Sequence, residues 1–237
     1  NLYVNFAASI RRRLASSSGT DLLLGTLVSL VAVKYALMAA DRISSSELSL
    51  GWQHLWALGE GDAWKPWKWF SYAFLHADLY HALWNLLILH FVGHAWEDRR
   101  GHRSPWWLFL SGAAVGAIVF MALTTADETY HQLVGASAGT TAVLGALTVR
   151  QPRFQTKLAF WWVPLYAFAA LLLLVDLAFA VGYDLSAWAH LSGFALGAGG
   201  QMLGLWSVSF KGFKRARTSA HLVLVPGGRK NSHNVLE

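Results

Sequence analysis

The sequence predicts an all-α membrane protein, a bundle of six transmembrane helices with both termini in the cytoplasm. Three observations carry that expectation. Of 237 residues, 55% are hydrophobic and only 14% are charged, and the mean hydropathy is +0.37, a composition foreign to soluble domains. Six segments approach the roughly 20 apolar residues that a helix needs to cross the hydrocarbon core. The loops between them carry Lys and Arg on alternate sides, as the positive-inside rule requires.

Taken in order, residues 1–20 form a cytoplasmic segment with Arg11, Arg12, Arg13 and a serine-rich stretch. The chain starts at Asn1, so its numbering is expected to begin inside a longer or processed precursor. The first apolar segment, residues 21–40, has no small-residue cleavage site of the usual kind and is read as an anchor. The loop at 41–78 is long, Trp-rich and mixed in charge, suited to an amphipathic element in the outer leaflet. Further spans are expected at 79–96, 105–125, 133–149, 158–181 and 186–206. Together residues 21–206 make one transmembrane domain, and residues 207–237 form a basic cytoplasmic tail with little to bury.

Placing the N-terminus inside puts Arg99, Arg100 and Arg103, then Arg150, Arg153 and Lys157, then Lys211, Lys214, Arg215 and Arg217 in the cytoplasm. Only Arg42, Lys65 and Lys68 fall in outer loops. The net charge of +6 therefore reports topology and contact with anionic lipid heads, and nothing points to a nucleic-acid groove. With no cysteine, disulfides, thiol catalysis and cysteine metal sites are excluded.

Under this topology spans two, four and six all run from outside to inside. His81 and Asn85, Ser137, and His190 each lie in the first two turns of their span, at one depth near the outer face. A polar group in a membrane segment is a functional-site hypothesis because leaving it unpaired in hydrocarbon is costly. A serine hydroxyl becomes a nucleophile when a base takes its proton, and histidine is the usual base. Ser137 sits in Gly135-Ala136-Ser137-Ala138-Gly139, small residues that allow close helix approach. His190 is followed by Gly193 and Gly197 on its own face. His81 and Asn85, four apart, project from one helix face and are candidates, with the Ser137 backbone amide, to stabilise an oxyanion.

The run His81-Ala82-Leu83-Trp84-Asn85, then Gly93, Glu97 and Gly101, then Gly135-Ala136-Ser137, and Ala189-His190 ahead of Gly193 and Gly197, resembles the rhomboid family of intramembrane serine proteases over about residues 64–205. Their order and spacing are specific in combination. The resemblance implies a rhomboid-like fold, a Ser137/His190 dyad without a catalytic acid, and an oxyanion hole from His81, Asn85 and backbone. It implies cleavage near the outer end of a substrate's transmembrane helix, membrane lipids and transmembrane protein substrates as partners, and no metal or cofactor. It also implies an interfacial hairpin in the first outer loop and a lateral gate on helix five, placed here near Phe179 and Val181. The short six-span form points to a bacterial inner membrane. Ala138 stands where the family often has glycine, Thr141 where it often has an aromatic residue, and Trp64-Lys65 and Trp67-Lys68 where it often has a Trp-Arg pair.

Other polar residues favour plainer roles. A Ser or His in a helix often only bonds to a neighbour; shared depth, glycine context and order set Ser137 and His190 apart. Gly93, Glu97 and Gly101 are read as structural, with Glu97 near loop groups or Arg99 and Arg100, and Gly112 and Gly116 as a packing face. Lys34 can snorkel or pair, and Asp176 in helix five can make a polar contact. Among His76, His90, His94 and His131, only His90 and His94 have a spacing worth testing for metal. Two other functions are weighed: an inactive rhomboid-like binder of membrane helices, which has no need of both Ser137 and His190, and a small transporter or proton channel using His81, His190, Asp176 and Lys34, for which no internal repeat is visible.

Overall fold

The computed structural model describes residues 17–100, 105–124, 131–158, 161–182 and 184–207. Eight α-helices appear among them: α1 (Gly19–Ser44), α2 (Leu48–Trp56), α3 (Lys68–Ser71), α4 (Leu79–Arg100), α5 (Trp106–Thr124), α6 (Ser137–Arg150), α7 (Leu165–Val181) and α8 (Leu185–Met202). Two short antiparallel ladders accompany them, β1 (Leu58–Gly59) with β2 (Gln132–Leu133) and β3 (Gln155–Leu158) with β4 (Trp161–Pro164). By length and composition α1 and α5 suffice to cross a membrane, and α7 is apolar over 17 residues. Helices α4 and α8 are as long but carry the polar residues of the candidate site, which lowers their hydropathy.

Helix α6 is the centre of the molecule. Its residues from Ala138 to Leu147 are nearly all buried, which explains how a helix of 14 residues, about 21 Å long, serves there. Helices α5 and α8 press on it through glycines. A Cβ on Gly112 would lie 2.5 Å from the Ala142 Cβ, and one on Gly139 would lie 2.5 Å from the Phe109 ring. Gly145 faces the Phe194 backbone and Gly197 the Ala142 backbone, with no room for a Cβ at either. In lipid, where no hydrophobic force separates helix from solvent, such backbone approach supplies the dispersion contacts that hold helices together.

The loop at 41–78 has secondary structure of its own. It contains α2, α3 and two 3₁₀ turns, Asp62–Trp64 and Tyr72–Phe74. Asp62 organises it, accepting from Lys65 and Lys68 at 2.7 Å each and from the Gly59 amide at 2.9 Å. The Tyr72 hydroxyl donates to the Ala113 carbonyl at 2.8 Å, while the Tyr72 carbonyl accepts from Gly135 at 3.0 Å. Lys34 pairs rather than snorkels, donating to the carbonyls of His76 at 2.5 Å and Ala77 at 2.6 Å. Loop, α1, α5 and the approach to Ser137 are thereby tied together.

Two expected spans start later than the sequence suggests. Residues 158–181 were expected to be one helix, but the chain forms the β3–β4 hairpin and α7 begins at Leu165. Pro164 lacks the N–H a helix interior needs, and Trp161, Trp162 and Val163 favour extended backbone. Residues 133–149 were expected to start a helix at Leu133, yet that residue pairs with Leu58. Gly135 then takes φ +128°, a conformation only glycine adopts easily, and α6 starts at Ser137. The tail beyond Ser207 lies outside the described residues.

Candidate active site

Ser137 is the first residue of α6. The Gly135 turn before it is held by the Tyr72 carbonyl, and a Cβ there would meet the His81 imidazole at 2.7 Å. His190 stands on α8, whose start is capped by the Asp184 carboxylate accepting from the Ser186 amide at 2.9 Å. The Ser137 Oγ and His190 Nε2 are 2.6 Å apart. The small-residue contact between α6 and α8 sets this distance: Gly193 faces the Ala138 carbonyl without room for a Cβ. Thr141, in the place of an aromatic residue, has its hydroxyl 2.9 Å from the His190 carbonyl and 3.1 Å from that of Ala138. It binds the two helices through backbone at the level of the imidazole.

The other ring nitrogen of His190 is also engaged. Nδ1 lies 2.8 Å from Asp176 Oδ1, with both side chains mostly buried. A sequence-only reading leaves Asp176 as an isolated polar contact in an apolar helix. The missed signal is positional: Asp176 is five residues before the end of α7 at Val181, and His190 is five residues after the start of α8 at Leu185. Consecutive antiparallel helices bring such positions to one level.

His81 and Asn85 enter from α4. They line, with Ser137, Thr140, Thr141, Asp176 and His190, a cavity of about 400 Å³ whose remaining walls are Trp84, Ile88, Phe168, Leu171, Leu172 and Val175. All four residues singled out in the sequence thus border one cleft. The Asn85 amide donates back to the His81 carbonyl at 2.9 Å, and the His81 amide donates to Asp78 at 2.8 Å. The His81 ring meets that of His76 edge-on at 5.3 Å. His76 is buried with both ring nitrogens unpartnered among the described residues. Burial, reinforced by the positive charges of His81 and Lys34, lowers it to about 4, so it is neutral at physiological pH.

Gly93 and Glu97 lie away from the cleft. A Cβ on Gly93 would meet the Thr20 side chain at 2.6 Å, and the buried Glu97 accepts from the Thr20 amide at 3.1 Å, so both fasten α4 to the start of α1. The Arg99 and Arg100 side chains and Gly101 lie outside the described residues. His94 places Nδ1 2.7 Å from the His90 carbonyl and Nε2 3.1 Å from Asp21, which commits both its nitrogens to protein partners.

Apolar helices long enough to cross a membrane, and a serine and a histidine in contact within an apolar cleft, point to an integral membrane protein. The Rhomboid domain family model matches residues 63–207, well over half of the chain, and the protein belongs to the rhomboid family. That family typically consists of intramembrane serine proteases. Comparison with curated proteins finds no match.

Proposed function

We propose that the protein is an intramembrane serine endopeptidase that hydrolyses peptide bonds at or near the outer end of transmembrane helices in single-pass membrane proteins. The observation that carries this reading is the 2.6 Å contact between Ser137 Oγ and His190 Nε2, both of which line a cleft of about 400 Å³. Ser137 attacks the scissile carbonyl while His190 takes its proton and returns it to the leaving amine. The Ser137 amide, at the positive end of α6 with no partner inside the helix, joins His81 and Asn85 in holding the oxyanion. Each such donor contributes about 3 to 4 kcal/mol when preorganised. For Asn85 this requires its amide to turn from the His81 carbonyl toward substrate.

Helices α4 and α7 barely touch, and the cleft lies between them. A substrate helix enters there, past Phe168, Leu171, Leu172 and Val175, rather than past Phe179 and Val181, which do not line the cavity. It unwinds locally to present an extended bond. In the membrane, α1, α4, α5, α6, α7 and α8 are the six spans of a domain over 21–206, with the segment 1–20 and the tail 207–237 in the cytoplasm. The ends carrying Ser137 and His190 then face outward, in a bacterial inner membrane. Gly135, Gly139, Gly193 and Gly197 serve as packing residues of the site, and Gly93, Glu97 and Gly101 as packing residues of the opposite end.

The test is cleavage of a panel of fluorescent single-pass substrates by the full chain in proteoliposomes, alongside labelling by a serine-reactive phosphonate. Wild type is expected to cut and to label, and folded Ser137→Ala and His190→Ala to do neither. Cleavage that survives either substitution removes the proposed chemistry. Failure of wild type both to cut and to label leaves a non-enzymatic helix-binding role.

A further inference from the structure

The resemblance to the family implies two catalytic side chains, but this chain places a carboxylate behind the histidine. Asp176 Oδ1 is 2.8 Å from His190 Nδ1, and their side chains are 16% and 21% exposed. Asp176 is the single charged residue among the 17 of α7, the rest being apolar or weakly polar. A carboxyl group in such surroundings is costly to leave without a partner. Its partner among the described residues is the imidazole. No aromatic ring packs on His190 among the described residues, and Thr141 reaches its backbone rather than its ring. Hydrogen bonds at both ring nitrogens hold the imidazole.

We propose that Asp176 is a positioning residue for His190. The inference rests on the serine-protease reading above and assigns to this chain a third member of the catalytic arrangement. A carboxylate only accepts hydrogen bonds, so Nδ1 must carry the proton in the resting imidazole. The lone pair is then on Nε2, the atom facing Ser137 Oγ at 2.6 Å. When Oγ bonds to the scissile carbon, the Oγ–H bond breaks and its proton moves to Nε2, giving an imidazolium whose Nδ1–H still donates to Asp176. The carboxylate stays ionised and offsets the new positive charge. Collapse of the tetrahedral intermediate returns the Nε2 proton to the leaving amine and restores the resting tautomer.

The experiment compares wild type, Asp176→Asn, Asp176→Leu, Asp176→Glu and Ser137→Ala as full chains in proteoliposomes, reading kcat and KM on one cleaved substrate together with apparent Tm. In Asp176→Asn the amide can donate to Nδ1 and trap the tautomer whose Nε2 carries hydrogen. Its kcat is expected to fall by about 10²- to 10⁴-fold, with KM within about threefold of wild type. Asp176→Leu, which suits the apolar helix and keeps the fold should the asparagine variant lose it, is expected to show the same loss of kcat. Asp176→Glu restores an acceptor and is expected to recover about tenfold or more over Asp176→Asn.

A kcat within about threefold of wild type in the folded asparagine or leucine variant overturns the assignment, as does a loss confined to KM, which would mark a substrate contact. Glutamate no better than leucine overturns it as well. The Ser137→Ala arm keeps the two readings apart. Equal cleavage by wild type and Ser137→Ala removes the protease reading itself; Ser137-dependent cleavage that Asp176→Asn leaves untouched removes only the positioning role.

Discussion

Gly193→Ala tests whether close contact between α6 and α8 sets the distance between Ser137 and His190. Gly193 lies one turn after His190 on α8. An added Cβ would overlap the Ala138 carbonyl oxygen and lie 2.9 Å from the Thr141 hydroxyl, where ordinary contact is about 3.5 Å. Neither obstacle is the far end of a flexible side chain, so α8 must retreat by about 1 Å. His190 moves with it. The 2.6 Å Ser137–His190 contact opens to about 3.5 Å, beyond a useful hydrogen bond. A misplacement of this size costs about 10²-fold in kcat, and the overpacking costs about 1 to 3 kcal/mol of stability. For an ordered domain of this length that is a fall of roughly 2 to 12 °C in apparent Tm.

The paired control is Gly199→Ala on the same helix, where a Cβ would meet nothing within 4 Å. It is expected to keep wild-type cleavage and to gain up to about 1 kcal/mol from reduced backbone freedom in the unfolded chain. Both variants are assayed in proteoliposomes for kcat and in detergent for apparent Tm. Wild-type kcat and Tm in Gly193→Ala would refute the packing argument. Equal damage from Gly199→Ala would show that loss of a helical glycine, and not the close approach, is responsible.

Three further outcomes follow from the site and its loop. Thr141→Val keeps the shape and removes the hydroxyl that reaches the His190 carbonyl at 2.9 Å; loss of about 1 kcal/mol of helix positioning lowers kcat about fivefold, and unchanged turnover would place that bond outside catalysis. Asp62→Ala strands the Lys68 ammonium, which is 7% exposed, and is expected to lower stability by about 3 to 5 kcal/mol, whereas Lys68→Met costs less because Lys65 still answers Asp62; equal losses would refute this asymmetry. Burial pushes the Asp62 carboxyl up, but Lys65, Lys68 and the Gly59 amide outweigh it and hold it below its ordinary 3.8, so this contribution is present above pH 3.8 and is lost as pH falls through the lowered value. His76, lowered from 6.5 to about 4, acts in a higher window: between those values the unfolded chain binds a proton that the folded chain refuses. Stability present above pH 6.5 is lost on the way down to pH 4, by about 3 kcal/mol at most. Wild type should therefore lose more apparent Tm between pH 7.5 and 5 than His76→Leu, and parallel losses would exclude His76 as the cause.

Helix positions were most legible where apolar length alone decides them. Helices α1, α4, α5 and α8 fall within a few residues of the expected segments because a hydrocarbon-length run has few other stable forms. Helix starts are illegible where a local conformation outranks hydropathy. Pro164 and the Trp161-Trp162-Val163 run turn the first quarter of an apolar segment into a hairpin, and Gly135 with its left-handed backbone delays α6 to Ser137. Hydropathy cannot register either effect, since it scores these residues as apolar or neutral whatever their φ and ψ.

The candidate site divides along a different line. Depth is a one-dimensional property, readable by counting residues from a span's end, and it is depth that draws His81, Asn85, Ser137 and His190 to one level. Contact also depends on how each helix is rotated about its axis, and that is set by which small residues face which neighbour. Ser137 and His190 announce their rotation, because Gly193 and Gly197 mark the face of α8 that must meet α6. Asp176 does not. Helix α7 has no glycine between Leu165 and Val181 to say which side is inward, and its leucines suit lipid and protein alike. A carboxylate there reads as an isolated polar group until the antiparallel register with α8 is drawn, at which point five residues back from one helix end and five forward from the next place it behind the imidazole. In a membrane helix that lacks a packing stripe, the charged residue itself marks the inward face, since lipid would not tolerate it on the other.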